Sequence, residues 1–383
     1  MPTVPIFTYR DAVRHVIDFM GASVTEQTIR DGRRAVRNAA RELAQSHRWS
    51  YMYAQGRLNT VDDYSTGTIT YTNSSRALTL ASGTWPSWAA YGTVILSSVS
   101  YQVASRDSNS VLTLSVNSNP GADVAAGTTY TIYRDTYPLP SDFLSMGVIV
   151  ESSNQYAPRY CHPNEWIELQ RTGKAVGQPK VFTIVSDPNY FNTLAWRCWP
   201  APDNIYRYDY SYQRRMRPLV YDEYSTGTAT VTASSTTLSG TGTSWSSNYI
   251  GSVVRLSADT TNAPEALEWQ NPYSVERVIT AYTSATSLTV DTAFSAALTG
   301  VKYNISDPVD LEDGAMLNAF LRCCEKQVAT SKTMRTKAEA NAAWMEALIQ
   351  AREADSRNFA PSAEGQTGHY RIPLRDMPIT ITT

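Results

Sequence analysis

The pentapeptide Tyr-Ser-Thr-Gly-Thr occurs at Tyr64–Thr68 and again at Tyr224–Thr228, and the text after each copy keeps one order. A Trp-bearing turn comes next (Gly83-Thr84-Trp85, then Gly242-Thr243-Ser244-Trp245), followed by an apolar stretch (Gly92 to Ser97, then Gly251 to Ser257). Leu112-Thr113-Leu114 answers to Leu288-Thr289-Val290, and Tyr130-Thr131-Ile132 to Tyr303-Asn304-Ile305. The offset opens from 160 at the first match to 173 at the last, as loops lengthen in the second copy. A fixed order at near-fixed spacing marks an internal repeat. Residues 58–136 and 223–308 are therefore expected to be two copies of one module.

The texture of each copy is β. Thr68-Ile69-Thr70-Tyr71-Thr72 and Thr128 to Tyr133 are β-branched and aromatic and are bounded by turn residues. Charge is scarce, with only Arg76, Arg106, Asp107 and Asp123 between Tyr64 and Tyr133. Regular apolar alternation argues against disorder in so Ser/Thr-rich a stretch, and each copy reads as a small antiparallel barrel or sandwich. Residues 137–222 form a different β-rich segment, in which Tyr206-Arg207-Tyr208-Asp209-Tyr210-Ser211-Tyr212 alternates with one aromatic face.

Helical periodicity is confined to the two ends. Over residues 8–50, Gly21 closes a first short helix, and Ser23 with Glu26 is a capping-box pair that opens a second. Ile29, Val36, Ala40, Leu43 and His47 share one face of it. After Pro308, Asp310 and Asp313 are candidate caps, and Leu317, Phe320, Leu321, Cys324 and Val328 form an apolar stripe. A last helix, from Ala338 to about Arg357, buries Trp344, Leu348 and Ala351. Short helices need tertiary partners. The expected fold is α+β: a helical bundle made from the N- and C-terminal helices, with antiparallel β modules inserted. The segments are 1–57 (helices), 58–136 (first repeat), 137–222 (central β-rich), 223–308 (second repeat), 309–357 (helices) and 358–383 (extended arm).

No reaction centre emerges. The four histidines, His15, His47, His162 and His369, sit in unrelated segments without metal-ligand spacing. Cys161-His162 is the one nucleophile–base pair, and neighbours in sequence rarely converge with the required geometry. Ser239-Gly240-Thr241-Gly242-Thr243-Ser244 lacks the lysine of a phosphate loop. Asp62-Asp63 and Asp310, Glu312 and Asp313 read as turn and cap residues. The four cysteines, without a Cys-x-x-Cys, are expected reduced and buried. The expectation is a chain without catalytic residues, metal or cofactor. The net charge of −2 gives no hint of nucleic-acid affinity, no run is long and apolar enough for a membrane helix, and the first residues lack a signal peptide, so synthesis in a cytoplasm is expected.

One charge pattern stands out. Arg30, Arg34, Arg37, Arg41 and Arg48 fall within roughly 60° of arc on the second helix at 100° per residue. Residues 1–57 hold nine Arg, no Lys and five acids. The row is either a solvated face paired with acids of a neighbouring helix or subunit, or a surface that meets phosphate or an acidic partner.

The arrangement resembles the head-to-tail adaptors of tailed bacteriophages, also called tail tubular, head-completion or connector proteins. The residues that carry the resemblance are Ala44-Gln45-Ser46-His47-Arg48-Trp49-Ser50-Tyr51 at the end of the helical hairpin and Tyr137-Pro138-Leu139-Pro140-Ser141-Asp142-Phe143. The Trp199-Pro200-Ala201-Pro202-Asp203 turn, the strand into Tyr212-Gln213-Arg214-Arg215, and Trp344-Met345-Glu346-Ala347-Leu348 with Ala354-Asp355-Ser356-Arg357 complete it. The resemblance implies a ring of roughly twelve identical subunits beneath the capsid portal, in the neck of a virion assembled in the bacterial cytoplasm. Double-stranded DNA would pass through the ring without sequence specificity. The tail nozzle or tube would build on its lower face, tail fibres on the β modules would be further partners, and no enzymatic activity or membrane comes with it. It also implies a C-terminal arm that docks on the portal, with Arg371 and Arg375 for acidic groups and Ile379 and Ile381 in a strand awaiting a partner edge. Two other classes compete: a tail-fibre or spike protein, which explains the β repeats but not helices at both ends, and a polysaccharide hydrolase, which needs two convergent carboxylates.

Overall fold

Hydroxyl side chains set where the helices begin. In α1 (Tyr9–Met20) the N-cap is Thr8, whose Oγ1 accepts from the Asp11 amide while the Asp11 carboxylate accepts from the Thr8 amide at 2.8 Å. Gly21, in the left-handed region, ends the helix as expected. The cap of α2 (Glu26–Ser46) is Thr25 with Thr28, not Ser23 with Glu26. Its buried stripe is Gly32, Ala35, Val36, Ala39 and Leu43, turned slightly from the expected face. The computed structural model describes residues 5–153, 156–171, 176–189, 191–269, 273–312, 314–330 and 333–359. These hold three further α-helices: α3 (Pro163–Arg171), α4 (Ala315–Val328) and α5 (Lys337–Phe359). The chain is thus a mixed α+β protein with several largely antiparallel sheets.

The chain divides into two compact units. Residues 52–217 form one, a single insertion between Tyr51 and Pro218. Residues 1–51 and 218–383 form the other. We call them the inserted unit and the terminal unit.

Among the described residues, fourteen strands build the inserted unit. Strand β1 (Tyr53–Asn59) precedes β2 (Ile69–Thr72), β3 (Ala77–Leu80), β4 (Thr93–Leu96), β5 (Val99–Arg106), β6 (Val111–Leu114), β7 (Val124–Thr128) and β8 (Thr131–Tyr133). Then come β9 (Thr136–Pro138), β10 (Phe143–Glu151), β11 (Arg159–Tyr160), β12 (Val181–Ser186), β13 (Leu194–Trp199) and β14 (Arg207–Arg214). Seven of them pair in the order β7-β2-β3-β6-β5-β4-β8. The long β5 serves β4 with its first half and β6 with its second, so the sheet curls into a half-barrel over one core that includes Ile69, Leu78, Trp85, Val94, Leu112 and Ile132. The central segment is two small sheets, β1-β14-β10 and β11-β12-β13-β9, sharing a core of Leu58, Tyr137, Phe143, Trp196, Tyr208 and Tyr210. It therefore draws on Tyr53–Arg57, which the sequence placed with the N-terminal helices, and it contains α3, which the sequence reading did not anticipate.

The terminal unit holds β15 (Thr228–Val231), β16 (Thr237–Thr241), β17 (Val253–Ser257), β18 (Tyr273–Ser284), β19 (Ser287–Val290), β20 (Leu298–Val301) and β21 (Tyr303–Ser306). Their order is β20-β15-β16-β19-β18-β17-β21, which maps strand for strand onto the half-barrel of the inserted unit. The repeated pentapeptide has the same work in both. Tyr64 bridges Ile132 and Tyr224 bridges Ile305, and each phenol oxygen accepts an amide from the Trp-bearing turn, Thr84 N at 3.3 Å and Ser244 N at 2.8 Å. Gly67 (φ 82°) and Gly227 (φ 86°) sit in the left-handed region, and a Cβ at either would run into the carbonyl of Ser82 or Thr241.

In the terminal unit α4 packs against α5, α2 and α1, and α1 against α2. The N-cap of α4 is Gly314, which has no side-chain cap bond; Asp313 lies outside the described residues. Met316, Ala319, Phe320, Cys323 and Cys324 are buried, while Leu317 and Leu321 of the expected stripe are only half-buried. On α5 the buried residues include Ala340, Trp344, Ala347, Leu348, Ala351 and Asp355. The second β module does not stand off from the helices as an appendage, for it shares their unit and holds α1 through buried ion pairs.

Candidate functional site

The arginine row lies on the face of α2 that packing leaves open. Gly32, Ala35, Val36, Ala39 and Leu43 turn inward, so Arg30, Arg34, Arg37 and Arg41 turn out, and all four are exposed. Their contacts are local and weak. Arg30 donates to Gln27 Oε1 at 3.0 Å, Arg37 to the Arg33 carbonyl at 3.3 Å, and Arg34, with 74% of its side chain exposed, lies 4.0 Å from Asp31. Arg48 is exposed too, but it follows the C-cap His47 and is not part of the helical row. Extrapolating 100° per residue past the last turn had placed it there.

The opposite side of α2 is fixed by charge as well as apolar contact. Arg33 Nε donates to Asp222 at 2.7 Å, and Tyr9 donates to the Arg33 carbonyl at 3.1 Å. Glu42 receives Lys326 and Gln327 of α4, and the Lys326 ammonium lies 3.7 Å from the centre of the Trp344 ring. At the C-terminus His47 and Ser50 converge on the buried Asp355 of α5, with His47 Nε2 at 3.1 Å. The helix is thus a bar anchored along one side, with its cationic face open to solvent.

Sequence reasoning missed a buried charge network behind this bar. Arg255 of β17, 4% exposed, binds Asp11 of α1 at 2.9 Å and Glu276 of β18 at 2.8 Å. Arg10 pairs with Glu223 and Glu265 at 2.5 and 2.7 Å. His15 stands between Glu268 (3.5 Å) and the buried Glu325 (3.2 Å), and Glu325 also receives Arg322 and Arg335 at 2.7 and 2.9 Å. Burial alone would lower the His15 pKa, but the hydrogen bond to Glu325 and the two carboxylates raise it above its ordinary 6.5. Burial works the other way on Glu325, and His15 with Arg322 overcomes it to hold that carboxyl below its ordinary 4.5. The only sequence signal was Arg255 itself, a lone charge in the apolar run Val253 to Leu256.

The remaining candidates do not assemble. The Cys161 thiol faces the His162 carbonyl and Glu165, both at 3.5 Å, and burial raises its pKa, so it is not paired with the imidazole as a nucleophile would be. All four cysteines are free and buried, with Cys323 pushed up to about 12, chiefly by burial. Among the described residues no group of His, Cys, Asp and Glu is placed to hold a metal ion, and no helix is long and apolar enough to cross a membrane. Arg371, Arg375, Ile379 and Ile381 lie outside the described residues. No protein-family model matches the chain, and no curated protein is significantly similar to it.

Proposed function

We propose that the protein is a structural adaptor of a tailed-bacteriophage virion, a homo-oligomeric ring of roughly twelve copies that joins the capsid portal to the tail and lets genomic DNA pass. The observation that carries this reading is the closure of the chain. Helices from its two ends pack on one another in the terminal unit, and residues 52–217 are a single insertion. We read α1, α2, α4 and α5 as one bundle that builds the ring wall, with the exposed face of α2 as an interface. We read residues 58–136 and 223–308 as duplicates of one β fold, supported by their common strand order, by the Tyr64/Tyr224 turns and by Gly67/Gly227. One copy is docked to the helices and the other is available for tail or fibre contacts.

Electron microscopy of the purified chain, alone and mixed with its portal, tests the reading. A closed ring that seats on the portal is expected. A trimer would favour the fibre reading, and a monomer that ignores the portal would overturn the adaptor.

A further inference from the structure

Helix α5 carries a counterpart to the arginine row. Glu339, Glu346 and Glu353 recur every seven residues and fall within about 40° of arc on its exposed side. Glu339 caps its own helix through Thr336, but among the described residues Glu346 and Glu353 have no ion-pair partner. Beside these acids runs an apolar strip in which Met345 is 45% and Ile349 52% exposed. An exposed methionine and isoleucine one turn apart, edged by unpaired carboxylates, make the composition of a contact face rather than of a solvated one.

The two rows match in repeat as well as in sign. Arg30 to Arg37, Arg34 to Arg41, and Glu346 to Glu353 each advance seven residues, or about 10.5 Å along the axis. The four arginines span about 16 Å and Glu346 with Glu353 about 10.5 Å, so two such helices laid side by side bring the carboxylate pair within the length of the guanidinium row. Of the two acids next to the row in sequence, Glu42 is taken by Lys326 and Gln327, while Asp31 accepts from Gln27 and lies 4.0 Å from Arg34.

We propose that α2 of one copy docks on α5 of the next, with Arg30, Arg34, Arg37 and Arg41 facing Glu346 and Glu353, and Met345 and Ile349 sealing the contact. The occupant of each face is a second copy of this chain. Because the two patches differ, the contact is head-to-tail, the kind that closes a ring when the rotation permits. This inference rests on the ring proposed above and names its interface.

Charge exchange between copies provides the test. One variant carries Arg34→Glu, Arg37→Glu and Arg41→Glu, and the other Glu346→Lys and Glu353→Lys. All five positions are exposed, so circular dichroism should show both variants folded. Exposed pairs are individually weak, so each variant alone should need roughly ten to a hundred times more protein for half-assembly in sedimentation velocity. An equimolar mixture of the two should assemble, since reversed arginine positions then meet reversed glutamate positions. Assembly of wild type should also weaken with added salt. Variants that form rings like wild type, or a mixture that stays dispersed, would overturn the pairing while leaving the ring intact. Unchanged assembly with lost retention of duplex DNA would assign the arginines to DNA and equally overturn it. Wild type that forms no ring, alone or on the portal, defeats the adaptor reading itself.

Discussion

Strand β4 of the inserted unit and strand β17 of the terminal unit hold the same place in their half-barrels, yet their outer faces differ in kind. In β4 burial alternates, with Val94 and Leu96 inside and Thr93 and Ile95 half-open. In β17 every residue is buried. Ile95 pairs across to Ser100, whereas the corresponding pair in the terminal unit is Arg255 and Glu276. Arg255 reaches outward from its sheet to Asp11 and to the Ile6 carbonyl, so the segment around α1 covers the strand's second face. Two half-barrels of the same strand order thus differ at this cross-strand pair, and in the terminal unit the pair carries the contact to α1. A buried ion pair adds little net stability over an apolar replacement, but it punishes any other register severely. Its use here is to fix where α1 lies.

Removing the cation should therefore cost far more than trimming its counterpart. Arg255→Ala leaves Asp11 and Glu276 buried without their guanidinium and should destabilise the terminal unit by about 3–5 kcal/mol. Ile95→Ala removes half-open apolar surface and should cost the inserted unit about 1 kcal/mol. Hydrogen exchange followed peptide by peptide through urea resolves the two units, and equal losses would erase the contrast.

The shared features should respond alike. Tyr64→Phe and Tyr224→Phe each strip the acceptor from an amide of the Trp-bearing turn, and each should cost about 0.5–1.5 kcal/mol. The shorter Tyr224 bond should sit at the upper end. A loss confined to one module would count against common descent of the two turns.

The smallest effect is pH-dependent and belongs to the terminal unit alone. The raised His15 pKa means that its contribution is complete below pH 6.5 and disappears as pH rises through the folded value. The lowered Glu325 pKa means that its share is complete above pH 4.5 and is lost on acidification. The contacts of His15 with Glu268 and Glu325, the latter also held by Arg322 and Arg335, are thus strongest between those two values. His15→Gln should destabilise the terminal unit at pH 5.5 and much less at pH 9, with a slope of at most about 1.4 kcal/mol per pH unit for one proton. A pH-independent difference between the two proteins would refute this linkage.

How far the sequence spoke depended on range. The helical ends, the strand texture and the aromatic face of Tyr208, Tyr210 and Tyr212 rest on local periodicity and were legible. Thr25 and Ser23 both carry a hydroxyl with a bonding residue three positions on, and in the fold it is Thr25 that exchanges bonds with Thr28. Helix α3 has nine residues with Trp166, Ile167 and Leu169 as its apolar content, too short for a period to register, although Pro163 at its first position is a start signal. The arginine row was legible as an arc, but its openness depends on which side Val36 and Leu43 bury. Arg255 and Asp11 stand 244 residues apart, and nothing local in either foretells the other.

The insertion of one unit within the other has a consequence in time. Arg10 donates its amide to Ser306, 296 residues downstream, so the first helix makes this contact only after Ser306 has emerged from the ribosome. At bacterial and slower rates of synthesis that interval is about 15 to 60 seconds. Residues 52–217 are complete well before it ends. The inserted unit is therefore the first to finish, and the amphipathic α1 and α2 spend the wait without α4 to cover them, a window in which a nascent chain is open to chaperones and to premature contact with its sisters on the same message.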